Sequence, residues 1–324
     1  MSIRVGQAGL GEWGKNLVRN FDELADLAWL CDTSEELRER FAGRYPRATL
    51  TADFDELLAD DELEAVVIAT PVPTHHELAR RALEAGKHVF VEKPPAMRRE
   101  EMIELLELAR ERNLVLMPGH LLLYHPGVQR LKQLVDSGEL GEVLCVYGNR
   151  QNLGVIRSHE NALWSLGVHD LSVILWLIEE EPEEVVAVGR DFLQPGVEDV
   201  VFCYLRFPSG KVAHMHLSWL DPHKLRKMTV VGKEKMAVFD DMELERKIVV
   251  YEKAPWEPAE RYGEWRTRTG DIYSPNIPVD EPLRLEVAHF LELVRSGPGD
   301  HREAVDGLAV VGALERLTES LRGD

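Results

Sequence analysis

Ile3-Arg4-Val5-Gly6-Gln7-Ala8-Gly9-Leu10-Gly11-Glu12-Trp13-Gly14 is the stretch whose reading decides the fold. A short apolar run ends in glycines at 9, 11 and 14, and Trp13 to Phe21 then places apolar residues at helical spacing. Gly9 permits a tight turn, Gly11 lets backbone approach a pyrophosphate, and Gly14 lets helix and strand pack closely. Leu10, Glu12 and Trp13 complete a turn whose unpaired N–H groups, at the start of a helix, favour negative charge. Glycines at this spacing gain meaning only between a strand and a helix, which is where these stand.

The next strand candidate, Leu27 to Cys31, is followed by Asp32, about twenty residues beyond the glycines. A carboxylate there can accept hydrogen bonds from both adenosine ribose hydroxyls and would repel a 2′-phosphate, so the cofactor read from these residues is NAD ahead of NADP. Arg38 and Arg40 keep NADP open, and a helix cap is the alternative role for Asp32. Further strands are expected at Ala48 to Leu50, Ala65 to Ala69, His88 to Val91 and Leu114 to Met117, alternating with helices at Glu35 to Ala42, His75 to Ala85 and Glu100 to Glu111 and a short helical turn at Asp55 to Leu58. That alternation predicts a doubly wound parallel sheet, a Rossmann domain over residues 1–120.

Residues 121–324 read differently. Helices are expected at Pro126 to Val135 and Trp164 to Ile178. The runs Val185 to Val188, Val200 to Phe207, Val212 to Leu217, Met228 to Val231, Met236 to Phe239 and Lys247 to Tyr251 then follow one another without helices between them. This predicts a second α/β domain on an open, mostly antiparallel sheet. Ala254 to Pro282 reads as a long excursion, and Leu283 to Val294 and Glu303 to Leu321 return to helical spacing, free to pack back on the first domain.

Lys and Arg number 38 against 57 Asp and Glu, a formal charge of −19 that disfavours nucleic acid and anionic membranes as general partners. Cys31, Cys145 and Cys203 lie far apart in apolar runs and are expected as buried free thiols, which fits a reducing cytoplasm. The chain opens without the basic and apolar regions of a secretion signal, and no segment has the length of a membrane span, so a cytoplasmic protein is expected. His75-His76 and His214-x-His216 lack a completing cluster, and no metal is expected. His216, on a sheet strand, is a candidate for the substrate cleft, and the aromatics Trp256, Tyr262, Trp265 and Tyr273 read as packing or an interface.

Ala69-Thr70-Pro71 with His75 after the fourth strand, and Glu92-Lys93-Pro94 after the fifth, stand behind this glycine turn. Together with Gly119-His120, Gly138-Glu139-Leu140-Gly141 and Pro282-Leu283-Arg284-Leu285-Glu286, they resemble the Gfo/Idh/MocA family of NAD(P)-dependent oxidoreductases over essentially the whole chain. The resemblance implies hydride transfer between NAD and a secondary hydroxyl of a sugar, cyclitol or related polyol. It also implies Lys93 and His169 as the catalytic pair, a cis peptide before Pro94, and a homo-oligomer, dimer or tetramer, formed through the open sheet. Thr70, Pro71, His75, Glu92 and Lys93 join the cofactor site on the same grounds. Within the family, Arg150-Gln151-Asn152-Leu153-Gly154, Arg157, Asn161, Leu163-Trp164 and His169-Asp170 look most like the nucleotide-sugar dehydrogenases that oxidise UDP-N-acetylglucosamine or its uronic acid at C3.

The chemistry fits those residue types. Lys93 leaves the carboxyl end of a parallel strand, where ligands collect, and its ammonium can hold a substrate oxygen and stabilise a developing alkoxide. His169 can take the proton near neutral pH. Tyr124, Asn152, Arg157, Asn161 and Ser165, with Lys93 and His169, are the expected substrate-binding residues; Arg150 and Arg157 suit a carboxylate or diphosphate through bidentate hydrogen bonds, a salt-bridge network with nearby carboxylates being the alternative. Two positions depart from the family pattern. Ser165 stands where many members carry aspartate, one helical turn before the histidine, and His125 stands where asparagine is common before proline, either touching the sugar or leading a helix. A nucleotide-linked amino sugar is the leading substrate class. An inositol or free-sugar dehydrogenase, and a non-catalytic NAD-binding sensor or assembly protein, are the alternatives.

Overall fold

The computed structural model of the chain describes residues 2–154, 156–158, 160–258 and 265–323, with backbone alone for 254–258 and 265–266. Tyr262 lies outside the described residues, as do the side chains of Trp256 and Trp265. In chain order the first elements are β1 (Arg4–Ala8), α1 (Gly14–Leu24), β2 (Asp26–Cys31), α2 (Glu35–Ala42), β3 (Thr49–Thr51), α3 (Phe54–Leu58), β4 (Ala65–Ile68), α4 (His75–Glu84), β5 (His88–Glu92), α5 (Arg99–Arg112) and β6 (Leu116–Gly119). Then come α6 (Pro126–Asp136), β7 (Val143–Gln151), a π-helical turn (Leu163–Gly167), α7 (Val168–Ile178), β8 (Glu184–Arg190), β9 (Val200–Arg206) and β10 (Val212–Ser218). Strands β11 (Leu225–Gly232), β12 (Met236–Asp240), β13 (Ile248–Pro258) and β14 (Trp265–Tyr273) follow, and α8 (Pro282–Ser296) and α9 (Arg302–Arg322) close the chain. Two compact units form, Met1–Leu121 with Glu281–Gly312, and Leu122–Asp280 with Ala313–Asp324.

The first unit carries a six-stranded sheet in the order β3-β2-β1-β4-β5-β6, every pair parallel. Strand order reverses between β1 and β4, so their carboxyl ends open the crevice in which such sheets take ligands. β4 reads Ala-Val-Val-Ile and is buried throughout, as a strand covered on both faces must be. One face packs on α4 and α5 through Val66, Leu83, Val89 and Met102. The other is sealed by an aromatic trio, Phe21 of α1, Phe90 of β5 and Phe290 of α8, with edge-on centroid distances of 5.7 to 6.1 Å.

The second unit carries an eight-stranded sheet in the order β14-β13-β12-β11-β7-β10-β9-β8. All pairs are antiparallel except β7 with β10, which run parallel at its centre. One face is buried through Val146, Cys203, Leu205, Ala213 and Met215. The other exposes Val186, Val188, Phe202 and Tyr204, with Tyr147 stacked on His214 and Phe202 on His216.

Two expectations are corrected. The excursion after Ala254 contains an edge hairpin, because β13 runs on to Pro258 and pairs with β14. Its outer strand, Trp-Arg-Thr-Arg-Thr-Gly-Asp-Ile-Tyr, is exposed from Thr267 to Ile272, so among its described side chains no buried face imposes an apolar alternation. The helix expected at Trp164 to Ile178 begins as a π turn, so Ser165 and His169 do not stand one regular α-turn apart. All three cysteines are free thiols, Cys31 and Cys203 buried and Cys145 half-buried.

Candidate functional site

The glycine turn is built from backbone approaches that admit no side chain. Gly9 has φ +95°, and a Cβ there would lie 2.4 Å from the Ala69 carbonyl oxygen. A Cβ at Gly14 would lie 2.2 Å from the Gly9 oxygen, whereas one at Gly11 would meet nothing within 4 Å. Gly9 and Gly14 are therefore closed by the protein, and Gly11 leaves the open cradle that a pyrophosphate needs. Gln7 braces the turn from beneath: fully buried in β1, its side-chain amide donates to the Gly9 oxygen at 2.8 Å and the Gly14 oxygen at 2.9 Å. Sequence reading passed over Gln7, although a glutamine inside an apolar strand is a buried-polar signal.

Asp32 holds the turn from the side. One carboxylate oxygen accepts from the Leu10 N–H at 2.8 Å and the other from the Ser34 N–H at 2.8 Å. Capping of α2 falls to Ser34, which accepts from Leu37 N–H, and the Asp32 oxygens keep further lone pairs for ribose hydroxyls. Arg38 donates to the Asp32 backbone oxygen at 2.6 Å and Arg40 to Glu36 at 3.1 Å. Beside the turn lies a cavity of about 310 Å³ lined by Leu10, Gly11, Lys15, Arg40 and Arg44 among others. Glu12 is exposed and paired with Lys15.

A second support joins this turn to Lys93. The Trp13 indole N–H donates to Glu92, whose other oxygen accepts from the Lys93 N–H at 3.3 Å. Lys93 is half-buried and follows the carboxyl end of β5, and the Lys93–Pro94 peptide is cis. Burial pushes the Glu92 carboxyl up to about 7 against the pull of Trp13 and Lys93. His120, just past β6, is buried with Nε2 unpartnered and is pushed down to about 4 by burial and by Lys93.

Two of the expected cofactor-site residues make hydrogen bonds within the protein. His75 is 1% exposed, and its ring nitrogens face the backbone oxygens of Thr70 at 2.7 Å and Pro94 at 2.8 Å. It ties the Thr70-Pro71 loop to the lysine turn and has no ring nitrogen left for a dinucleotide. Glu92 is likewise an internal brace. Thr70 hydroxyl pairs with Thr74 at 2.7 Å, and Pro71 leads the short helix Val72–Thr74.

In the second unit His169 is half-buried at the start of α7, with its carbonyl accepting from Ser172 at 2.9 Å, and Ser165 lies buried in the π turn before it. Tyr124 ends the short helix Leu121–Tyr124 and is half-buried. Asn152 follows β7, its N–H bonded to the Ser218 oxygen. Asn161 is spent locally: its amide donates to Glu198 at 2.6 Å and its oxygen accepts from the Trp164 N–H at 3.2 Å, which secures the entry to the π turn. Arg157 is exposed and paired with Glu160 at 2.8 Å.

Arg150 is an ion-pair partner, in a buried pair. It is 4% exposed and its Nη2 and Nε reach Asp170 Oδ1 at 2.7 and 2.8 Å, so it neutralises a buried carboxylate instead of receiving an anion. His125 leads a helix, the second of its two expected roles, and does so from a buried position. It is 9% exposed, its Nδ1 accepts from the Gly127 N–H at 3.0 Å as the cap of α6, and Nε2 faces Asp241 at 3.4 Å. His216 is held by Gln151 at 2.7 Å on the open sheet face. Among the described residues no cluster of three His, Cys, Asp or Glu is placed to hold a metal, and no helix is long and apolar enough to cross a membrane.

The fold and the glycine turn define a nicotinamide-dinucleotide oxidoreductase of two-domain type. Residues 3–120 match the oxidoreductase family with NAD-binding Rossmann fold, and residues 128–238 match the Gfo/Idh/MocA C-terminal domain. The chain belongs to the Gfo/Idh/MocA family. It is 30% identical over 241 residues to UDP-N-acetylglucosamine 3-dehydrogenase of Acidithiobacillus ferrooxidans, covering 74% of each chain. The solved structure of that enzyme superposes with a TM-score of 0.84 at 26% identity, over 100% of this chain and 99% of the other. Similarity extends to scyllo-inositol 2-dehydrogenase (NAD(+)) of Bacillus subtilis, 26% identical over 91% of this chain and 87% of that one. It extends also to 2,7-anhydro-N-acetylneuraminate hydratase of Escherichia coli, 28% identical over 65% of this chain but only 60% of that protein's length.

Proposed function

We propose that the chain is an NAD-dependent dehydrogenase that oxidises a secondary hydroxyl of a sugar to a ketone, with a nucleotide-linked amino sugar as its substrate class. The observation that carries this reading is the placement of Lys93 at the carboxyl end of β5, braced through Glu92 to Trp13 of a glycine turn open at Gly11. The similarity to a UDP-N-acetylglucosamine 3-dehydrogenase supports the substrate class. Gly11, Leu10 and Asp32 would hold the dinucleotide, which when bound supplies the hydride acceptor. NAD is preferred over NADP because the Asp32 carboxylate is fixed by two backbone N–H groups and stays where a 2′-phosphate would need to be.

Lys93 holds the substrate oxygen and stabilises the charge that grows on it, and His169 accepts the hydroxyl proton. Ser165, at the position before His169 where many family members carry a carboxylate, can give the proton path a hydrogen bond but no charge. Tyr124, Asn152 and Arg157 are the remaining substrate contacts. The exposed apolar stripe of Val186, Val188, Phe202 and Tyr204 is covered by a second copy of the chain. Three unpaired thiols fit a cytoplasmic location.

A screen of UDP-sugars, free sugars and inositols with NAD or NADP, following NADH or NADPH formation, tests this reading. NADH formation with a UDP-amino sugar, abolished in Lys93→Met, supports it. NAD-dependent turnover of an inositol alone replaces the substrate class, a reading that similarity to an inositol dehydrogenase favours. No turnover with any member while NAD still binds assigns the chain a sensing role.

A further inference from the structure

Glu286 lies in α8 with none of its surface exposed, and neither carboxyl oxygen has a hydrogen-bond partner. A carboxylate in such surroundings cannot stay ionised without a cation or donors to replace its water. Its place in the packing is well defined. On the buried stripe of α8, Leu283, Glu286, Val287 and Phe290, the glutamate stands one turn ahead of Phe290. Phe290 meets Phe90 of β5 at 5.7 Å, and Glu92 is two residues past Phe90 on the same face of the strand. Glu286, one turn from Phe290, and Glu92, two residues from Phe90, thus flank the same aromatic contact, and the charge of Glu92 acts on Glu286.

Glu92 is already an acceptor twice over, from the Trp13 indole and from the Lys93 N–H, and Gly119 on the neighbouring strand gives it room. A Cβ at Gly119 would lie 3.2 Å from Glu92 Oε1. Lys15 of α1 pairs with Glu12, and His289 of α8 with Glu303. On α1 and α8, Arg19 pairs with Glu281 and Arg284 with Glu23. His120 is pushed down to about 4 and is uncharged near neutrality, and Lys93 acts on Glu92. Glu286 is raised well above the usual carboxylate range by burial and then by the charge of Glu92.

We propose that Glu286 and Glu92 form a buried two-carboxyl unit holding one proton, in which Glu286 is a positioning residue that fixes Glu92 against Trp13 and the Lys93 backbone. The cofactor turn and the lysine turn then share one support. This rests on the reading of Lys93 and the glycine turn given above. When the second carboxyl ionises, two like charges face each other without water between them and the support loosens. A glutamine at 286 keeps the shape and presents a permanent donor to Glu92.

The test compares wild type with Glu286→Gln and Glu286→Ala from about pH 6 to about pH 9, by thermal unfolding without cofactor and by calorimetric titration with NADH. Wild type is expected to lose midpoint temperature and at least about threefold in NADH affinity as pH rises, while Glu286→Gln stays level in both. Glu286→Ala should bind NADH more weakly throughout the range, with Glu286→Gln restoring it. Unfolding profiles that run parallel in wild type and Glu286→Gln overturn the carboxyl pair. Diverging unfolding profiles with NADH affinities that stay parallel overturn the positioning role. The unfolding arm uses no cofactor, so failure of wild type to bind NADH at any pH overturns the cofactor reading separately.

Discussion

Replacing Arg150 with methionine, which keeps most of the side-chain volume, leaves Asp170 as a carboxyl group 2% exposed without its two donors. Its other oxygen already lacks a hydrogen-bond partner, and Gly148 packs so closely that a Cβ there would lie 2.8 Å from it. Breaking a buried pair from one side costs about 3 to 5 kcal/mol, which in a domain of this size lowers the unfolding midpoint by about 6 to 20 °C. The sign with pH is also determined. Burial already raises the Asp170 carboxyl above its model-compound value, with Arg150 opposing, and removing Arg150 raises it further. The penalty is therefore small where Asp170 is protonated in both proteins. It grows by about 1.4 kcal/mol per pH unit through the interval between the two folded pKa values and levels off above the higher one.

Urea unfolding at about pH 5 and about pH 8 reads this, alongside an Arg150→Met/Asp170→Leu double replacement that should recover most of the loss. A cost below about 1 kcal/mol at about pH 8, or one that is larger at about pH 5, refutes the reasoning and leaves Arg150 open as an anion ligand.

Gly14→Ala should destabilise the first unit and abolish stabilisation by NAD, because its Cβ would meet the Gly9 oxygen at 2.2 Å; Gly11→Ala, with open space around it, should unfold like wild type yet lose NAD binding. Thermal shift with and without NAD separates the two, a ligand at a hundred times its Kd being worth about 2.7 kcal/mol. Lys93→Met should bind NAD as wild type does and lose at least about a hundredfold in kcat, measured by NADH formation under saturating NAD. His125→Ala should cost about 1 kcal/mol through the lost cap of α6, and His125→Asn, itself a good cap, much less, both read by chemical denaturation. His125 holds Asp241 down from 3.8 to about 2, so that carboxylate's stabilisation is complete above pH 3.8 and is lost as pH falls through 2. In His125→Ala this acid-limb loss should shrink, which acid unfolding followed by circular dichroism will show.

Much of the first unit was legible because its signals are local. A parallel strand covered on both faces must be a short apolar run, and a glycine turn must carry glycines where backbone meets backbone, as Gly9 and Gly14 do. Glu286 was legible in part, as a lone acid in an otherwise apolar helical stripe. Other features had no local signal. β14 is an edge strand with no core face among its described side chains, and the π turn differs from an α-turn by one hydrogen-bond step that side-chain pattern does not encode. The parallel seam of β7 with β10 depends on sheet order, which strands of similar composition leave open.

By itself the sequence determined the class of fold, the glycine turn, Asp32 and the Lys93 motif, since each needs particular residue types within a few positions of one another. Only the tertiary structure decided how side chains of one chemistry are divided between ligand and scaffold. Arg150 could be read as an anion receptor or an ion-pair partner and pairs with Asp170, while both ring nitrogens of His75 face backbone carbonyls. The reason is physical: a buried polar group must find its partners inside the protein, and those partners lie 5 residues away for His75 and Thr70 and 20 for Arg150 and Asp170, reachable only once the chain has folded.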